Sequence, residues 1–255
     1  MSILDVFDSA NDATTASNRE VIVFLHDFAF DRSMWQHCIS ACEQSYRCIA
    51  VNYTGKSSVS RIVSDLKRLL NEKALDQVIL VGQGLGGILA VELALLSPAL
   101  VKRMVLIGTF VGYEPQVTHK RYTDEISALT SGALAAEDFF HTWSTRLFSA
   151  QFIEQHSQDV ASIKAQWQHS QDEFVANLNL WINRRDAAEE LDKLALATYL
   201  ITGSVDKIHP VLESYLMLDC IDGSQLEVVA DRGHACTVEA PEKVSQLLVD
   251  FLSRH

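Results

Sequence analysis

The sequence has few cysteines, and their spacing excludes a disulfide framework. Only five of its 255 residues are cysteines, and no two of these form a Cys-x-x-Cys pair. An odd set without paired spacing is typical of a protein in a reducing cytoplasm. No pair of cysteines or histidines has the spacing of zinc ligands on a turn. We therefore expect neither a metal site nor a fold held by disulfides.

Positive charge and long apolar runs are also scarce. The chain has 21 lysines and arginines against 33 aspartates and glutamates, a formal net charge of -12. An acidic surface repels phosphate backbones and anionic lipids, so the sequence predicts no nucleic-acid partner and no membrane partner. No uncharged apolar run reaches the roughly 18 residues of a membrane span. Met1 to Arg19 lacks the basic start and the apolar core of a signal peptide, and we expect a cytoplasmic protein.

Short apolar runs alternate with helical segments in the first half of the chain. Four runs are rich in valine, isoleucine and leucine without strict alternation, which favours strands buried on both faces. These runs are Val21–His26, Arg47–Tyr53, Gln77–Gly82 and Arg103–Phe110. The helical segments between them are Met34–Gln44, Val59–Lys73 and Leu85–Leu96. Such alternation predicts an α/β fold with a mainly parallel sheet flanked by helices and joined by right-handed crossovers.

This alternation stops near residue 110 and resumes near residue 190. The stretch between them is helical in composition and holds three of the four tryptophans, without a convincing strand. Two more strands, Ala197–Gly203 and Gln225–Asp231, and a last helix, Pro241–Arg254, follow. The sequence thus predicts one core made of residues 1–110 and 191–255, with a helical cap insertion at residues 111–190.

The strongest local signal is VILVGQGLGG, from Val78 to Gly87, where a buried strand runs directly into a glycine-rich turn and an apolar helix. A dinucleotide site is one interpretation, but it needs the first strand of its unit and an acid after the next strand. Here two strands precede the turn, and Gly108-Thr109-Phe110 ends the next one. A plain turn is the second interpretation. The third, which we favour, is a nucleophile elbow, whose tight turn requires small residues around its central position, here Gly84.

Four segments in chain order carry a family resemblance. The run Val23 to Phe28, followed by Trp35, resembles a strand-ending HGF…W oxyanion segment, and Gly82 to Gly87 resembles G-x-S-x-G-G. The run Leu200 to Asp206 resembles a strand followed by G-x-x-D, and Gly233-His234 with Glu239 to Glu242 resembles a GH…E-x-P-E loop. From about Val21 to His255 the chain therefore resembles the α/β-hydrolase superfamily, in the branch of small esterases and carbon–carbon hydrolases.

The resemblance implies a role for each matching position. His234 would be the general base, Asp206 would orient it, and the backbone amides of Phe28 and Leu85 would bind an oxyanion. Residues around the pocket would be Asp27, Trp35 and Gln83. Outside these matches we interpret His26 as a structural histidine below the oxyanion loop and His209 as a loop residue. The implied substrate is a small apolar acyl or carbonyl compound, and no cofactor is expected.

Two positions depart from the family pattern. Gly84 stands where the family has its serine nucleophile, so no alkoxide can form there. Asp27 replaces the usual glycine beside the oxyanion loop, either as a residue that tolerates unusual backbone angles or as a second carboxylate at the pocket. We expect Gly84 to face His234 across a gap the size of a hydroxymethyl group, filled by water. On this interpretation Gly84→Ser restores labelling by ester and fluorophosphonate probes.

Three hypotheses of function follow from the glycine at the elbow. The chain could be a serine hydrolase for a small or medium acyl ester that has lost its serine, by natural change or in a disarmed variant. It could be a non-hydrolytic enzyme, of the cofactor-free oxygenase or lyase type, that uses a His234–Asp206 dyad as general base. It could also be a non-catalytic pseudoenzyme that binds a ligand in the pocket.

Overall fold

Seven strands form one sheet in the computed structural model, which describes residues 4–10, 19–53 and 58–254. Their order across the sheet is β1-β3-β2-β4-β5-β6-β7, and β1 is antiparallel to β3 while the other neighbours are parallel. The strands are β1 Leu4–Asp8, β2 Val21–Leu25, β3 Arg47–Tyr53, β4 Val78–Gln83, β5 Val101–Ile107, β6 Ala197–Gly203 and β7 Gln225–Val229. The mainly parallel sheet predicted from the sequence is confirmed.

The order of the strands places two chain segments side by side at the carboxyl edge of the sheet. Strand β2 is the point where the order reverses, because β3 pairs with one of its edges and β4 with the other. Leu25 at the end of β2 is opposite Gly82 near the end of β4. The residues that follow each strand therefore emerge next to each other, at the position where sheets of this kind bind ligands.

Helices cover both faces of the sheet. The eleven α-helices of the described residues are α1 Gln36–Cys42, α2 Val59–Glu72, α3 Leu85–Leu96, α4 Gln116–Thr130, α5 Ala136–Leu147, α6 Ala150–Gln155, α7 Ser157–His169, α8 Gln171–Ile182, α9 Val211–Cys220, α10 Cys236–Glu239 and α11 Pro241–Arg254. Side chains alternate along β2, so that Val23 and Leu25 join the core with α2 and α3, while Ile22 and Phe24 join the core with α1 and α11. No helix of the described residues is long and apolar enough to cross a membrane.

Trp35 lies in this second core and not at the pocket, which corrects the expectation from the sequence. Its side chain is fully buried, and its ring packs against Phe24 with centroids 5.4 Å apart. A short 3-10 turn, Arg32–Trp35, leads from the loop after β2 into α1. It places the indole in the core that the sheet forms with α1 and α11.

The helices α4 to α8, which we call the inserted helices, lie between β5 and β6 and share an aromatic core. The buried aromatic residues of this segment are Tyr122, Phe139, Phe140, Trp143, Phe148, Phe152, Trp167, Phe174 and Trp181. This core continues into the loop after β2, because Phe28 packs edge-on against Trp143 and Phe174. The indole Nε1 of Trp167 also donates to the backbone oxygen of Ala29 at 2.5 Å. The inserted helices therefore hold the loop that contains Asp27 and Phe28.

Candidate active site

Four residues predicted to form a site meet at the carboxyl edge of the sheet. Asp27 lies two residues after β2, and Gly84 follows β4 directly. Asp206 comes three residues after β6, and His234 comes five residues after β7. All four strands run in the same direction, so their following loops converge at one edge. Asp27 and His234 have no exposed surface, and Asp206 is 7% exposed.

The turn at Gly84 favours a glycine for two separate reasons. Its backbone angles, φ 50° and ψ -115°, are rarely adopted by residues with a side chain. A Cβ atom built on Gly84 would also lie 2.0 Å from Oδ1 of Asp27, inside the contact distance of two unbonded atoms. The neighbouring Gly86 is equally constrained, since its Cβ would lie 2.0 Å from the backbone oxygen of Leu25. Helix α3 and strand β2 thus approach as closely as their backbones allow.

The expected gap beside Gly84 is filled by the carboxylate of Asp27, and the prediction of a water-filled space there is wrong. Oδ1 of Asp27 accepts a hydrogen bond from the backbone amide of Phe28 at 2.7 Å and another from that of Leu85 at 3.0 Å. Oδ2 lies 3.1 Å from Nε2 of His234. The two amides expected to bind an oxyanion do converge on one point, and a side chain of the protein already occupies it.

His234 joins Asp27 to Asp206. Nδ1 of His234 lies 2.9 Å from Oδ2 of Asp206, which confirms the predicted contact between the two side chains. Oδ1 of Asp206 accepts from the backbone amides of Ile208 at 2.8 Å and His209 at 2.9 Å. Each carboxylate therefore gives one oxygen to two amides and the other to one imidazole nitrogen. The imidazole lies between two acids that are held in the same way.

This arrangement favours a charged imidazole. Burial by itself lowers the pKa of His234, but the negative charge and hydrogen bond of Asp206, together with those of Asp27, outweigh burial and raise the pKa to about 10. With both ring nitrogens protonated, the ring donates one hydrogen bond to each carboxylate. At neutral pH the site therefore holds an imidazolium between two carboxylates, and the ring does not act as a base in this state.

Two polar side chains hold the loop that carries His234. Oε1 of Glu239 accepts from the backbone amides of Gly233 and Ser149, each at 3.0 Å, and Oε2 accepts from the hydroxyl of Ser149 at 2.6 Å. This carboxylate ties the histidine loop to the start of α6. Gln83 donates from Nε2 to the backbone oxygen of His234 at 3.4 Å and accepts from the hydroxyl of Thr237. Gln83 is fully buried and thus holds the loop that carries His234.

His26 holds the backbone on the other side of the site. Its Nδ1 lies 2.8 Å from the backbone oxygen of Asp27, and its ring stacks on Tyr53 with centroids 4.0 Å apart. The Tyr53 hydroxyl donates to the backbone oxygen of His26. Burial lowers the pKa of His26, so its ring is neutral and donates from Nδ1. These contacts support the interpretation of His26 as a structural histidine.

His209 belongs to the site, although the sequence indicated only a loop residue. It is 2% exposed, and its ring centroid lies 5.6 Å from that of His234. Its Nε2 accepts from the indole of Trp181 at 3.3 Å, and its Nδ1 lies 2.7 Å from Oε2 of Glu213. Burial and the nearby charge of Arg184 lower the pKa of His209 to about 3, so this ring is neutral. An isolated histidine in a loop carries no pattern from which this position could be inferred.

Aromatic rings cover the site from the side of the inserted helices. Phe28 packs against Trp181 with centroids 5.3 Å apart and against Trp143 at 5.5 Å, and all three side chains are buried. We call these three rings the aromatic roof. No group of three or more metal-ligating side chains is arranged around an ion within the described part of the chain.

Comparisons with known proteins agree with this architecture. A family model described as the alpha/beta hydrolase family matches residues 22–247. The chain is 24% identical over 250 residues to 3-oxoadipate enol-lactonase 1 of Acinetobacter baylyi, across 92% of this chain and 89% of that protein. It is 25% identical over 239 residues to a 2-hydroxy-6-oxo-6-(2'-aminophenyl)hexa-2,4-dienoic acid hydrolase of Metapseudomonas resinovorans, across 86% and 78%. A solved thermophilic esterase from Thermogutta terrifontis matches with a TM-score of 0.84 at 22% identity, across 98% of this chain and 93% of that chain.

Proposed function

Since the chain belongs to the alpha/beta hydrolase family and has its fold, we propose that it is a hydrolase whose nucleophile is the carboxylate of Asp27. In this proposal Gly84 stands at the position of a serine nucleophile that is absent. The hydrogen bonding of Asp27 carries the proposal: one oxygen lies on the amides of Phe28 and Leu85, and the other faces His234. A carboxylate can form covalent intermediates in enzymes, provided that it is positioned on the reacting atom.

The two departures from the family pattern depend on each other. A serine at position 84 would place its Cβ 2.0 Å from Oδ1 of Asp27, so the two side chains exclude each other. A carboxylate buried without exposure is costly unless it is hydrogen-bonded and paired with charge, and Asp27 has both kinds of partner. Random decay of a serine site gives no reason for a charged side chain to enter the oxyanion position. The pair supports a rebuilt site over a decayed one.

The position of the two amides favours one class of substrate. They contact an oxygen of Asp27, so the tetrahedral centre that they can stabilise is Cγ of Asp27 itself. A substrate carbonyl would find no free pair of donors there. We therefore propose a substrate with a saturated carbon that bears a leaving group such as a halide, in place of the acyl or carbonyl compound implied by the resemblance.

Two steps complete the reaction. In the first, Oδ2 of Asp27 attacks the saturated carbon, a carbon–oxygen bond forms, and the halide departs with the electron pair of the broken bond. In the second, water attacks Cγ of this ester while His234 takes the water's proton. The backbone amides of Phe28 and Leu85 stabilise the negative charge that develops on Oδ1 of Asp27. The intermediate collapses, the alcohol leaves with Oδ2 and the proton from His234, and the oxygen of water remains in Asp27.

The charge of His234 fits this sequence of steps. The charges and hydrogen bonds of both carboxylates raise its pKa to about 10, so it begins as an imidazolium. Ester formation neutralises Asp27 and removes part of this effect, so the pKa falls and the ring releases its proton to solvent. Only then does His234 become a base for water. A dyad that acts as a base from the start, the second hypothesis above, does not fit the charged resting ring.

A non-catalytic binding protein is the second candidate, and the aromatic roof favours it. Phe28, Trp143 and Trp181 leave the carboxylate and the imidazole buried. Catalysis then requires a movement of the inserted helices on the scale of the lid motions found in many enzymes. A protein that binds its ligand outside the aromatic roof requires no such movement.

Trapping the ester distinguishes the two candidates. In a His234→Gln variant the second step loses its base, so treatment with 1-bromobutane should leave one butyl group on the protein. Mass spectrometry of the intact protein measures the adduct, and fragmentation of the peptide should place it on Asp27. Asp27→Asn in the same background is the matched control and should take up no butyl group. A folded His234→Gln protein without an adduct, or with an adduct on another residue, contradicts the proposal.

A further inference from the structure

A cavity of about 350 Å³ lies beside the site, between the loop after β2 and the helices α7 and α8. Phe28 borders both the cavity and the site, because it is among the residues that line the cavity and its backbone amide donates to Asp27. The volume of the cavity is within the range of small-molecule sites. Neither the reaction steps above nor the contacts of the histidine loop use the other residues that line it, which include Phe30, Asp31, Trp167, Glu173, Phe174 and Asn177.

Asn177 is the unexplained polar group of this cavity. Its side chain is 2% exposed, and its amide oxygen has no hydrogen-bond partner among the described residues. A buried amide oxygen without a partner costs roughly 1–3 kcal/mol, so the asparagine at this position requires an explanation. A leucine of similar volume would avoid the cost on α8. A ligand that hydrogen-bonds to the carboxamide would provide one reason for the asparagine.

The charged side chains and the aromatic rings that line the cavity indicate the charge of that ligand. Asp31 and Glu173 are exposed carboxylates at the cavity, and no lysine or arginine is among the described residues that line it. The rings of Phe30 and Trp167 meet edge-on at 6.1 Å, and Trp167 lies 5.4 Å from Phe174. Aromatic faces combined with nearby carboxylates attract organic cations.

We infer that the cavity binds a small organic cation such as a substituted ammonium. Its charge lies between the rings and Glu173, and the Asn177 carboxamide contacts its polar substituent. The role of this cation as the charged end of the substrate rests on the function proposed for Asp27, whereas the binding itself does not. The acidic net charge of -12 further favours the approach of a cation from solution.

Calorimetric titration with choline, and with its uncharged isostere 3,3-dimethylbutan-1-ol, tests the inference. Choline should bind about tenfold more tightly than the isostere, as expected for a cation over aromatic rings. Glu173→Gln should weaken choline binding about threefold to fivefold. Asp172→Asn is the matched control, because Asp172 lies beside Glu173 in the first turn of α8 but does not line the cavity. It should change the affinity less than about twofold.

Asn177→Leu separates a binding role from a structural one. Loss of the unpartnered amide oxygen should leave the melting temperature unchanged or raise it, while choline binding weakens. Equal binding of choline and the isostere, or equal effects of Glu173→Gln and Asp172→Asn, overturns the inference. If choline binds in this way and 1-bromobutane leaves no ester on His234→Gln, the proposed reaction fails while the cation site stands.

Discussion

The substitution Gly84→Ser tests whether Asp27 and Gly84 exclude each other. The new Cβ would lie 2.0 Å from Oδ1 of Asp27. An unbonded carbon and oxygen stay about 3.3 Å apart, so the carboxylate would have to retreat by about 1.3 Å. That movement breaks the hydrogen bonds that the carboxylate accepts from the backbone amides of Phe28 and Leu85. The resemblance alone predicted that Gly84→Ser restores a serine hydrolase, whereas the structure predicts a destabilised protein without probe labelling.

Two costs add up in this variant. A side chain at φ 50° costs roughly 1–3 kcal/mol, and forcing atoms into a filled space costs roughly 1–3 kcal/mol more. We expect the free energy of unfolding to fall by about 3 kcal/mol, or roughly 6–12 °C in melting temperature for a chain of this size. Gly132→Ser is the matched control, because Gly132 has φ 77° with no atom within 4 Å of a new Cβ. It measures the backbone cost alone.

The double variant Asp27→Gly with Gly84→Ser removes the clash. We expect it to recover part of the lost stability, with a coupling of at least about 1 kcal/mol between the two positions. A fluorophosphonate probe should label the introduced serine hydroxyl in the double variant and leave the single variant unlabelled, as detected by mass spectrometry. Additive losses of stability, or labelling of the single variant, would refute the argument that the two side chains share one space.

Three further predictions concern the surroundings of the site. The pKa of His234 is raised from 6.5 to about 10, so its contribution to stability is complete below about pH 6.5 and is lost as the pH rises through 10. Asp27→Asn should move this loss of stability to lower pH. Urea unfolding at a series of pH values measures it. Glu239→Gln places amide hydrogens against the donors of Ser149 and should lower the free energy of unfolding by roughly 1–3 kcal/mol; Glu242→Gln is the exposed control. Tyr53→Phe leaves a buried backbone oxygen unpaired and should cost a similar amount, roughly 1–3 kcal/mol, in thermal unfolding, with Tyr215→Phe as the exposed control.

The parallel strands could be predicted from the sequence because each is a short apolar run without alternation. Strand β1 could not, since Leu4–Asp8 holds two acids among its five residues and forms neither a continuous apolar run nor a strict alternation. The contact between His234 and Asp206 followed from their positions after two strands. Trp35 was misplaced because a motif match fixes the position of a residue along the chain and not the direction of its side chain.

The contact between Asp27 and Gly84 could not be predicted from either motif alone. Both departures from the family pattern were visible in the sequence, 57 positions apart along the chain. What joins them is the register of β2 and β4, which sets Leu25 opposite Gly82 and so brings the two following loops into contact. A missing side chain at one position and an added carboxylate at an adjacent strand end form a signal that could be sought in other sequences.

The source of the product's oxygen shows whether Asp27 is the nucleophile. The protein turns over 1-bromobutane in water enriched in oxygen-18, and mass spectrometry then examines the peptide that contains Asp27. We expect the first turnover to transfer an unlabelled oxygen from Asp27 to butanol and to leave oxygen-18 in the carboxylate of Asp27. Butanol that carries oxygen-18 from the first turnover, with an unlabelled Asp27, would contradict it.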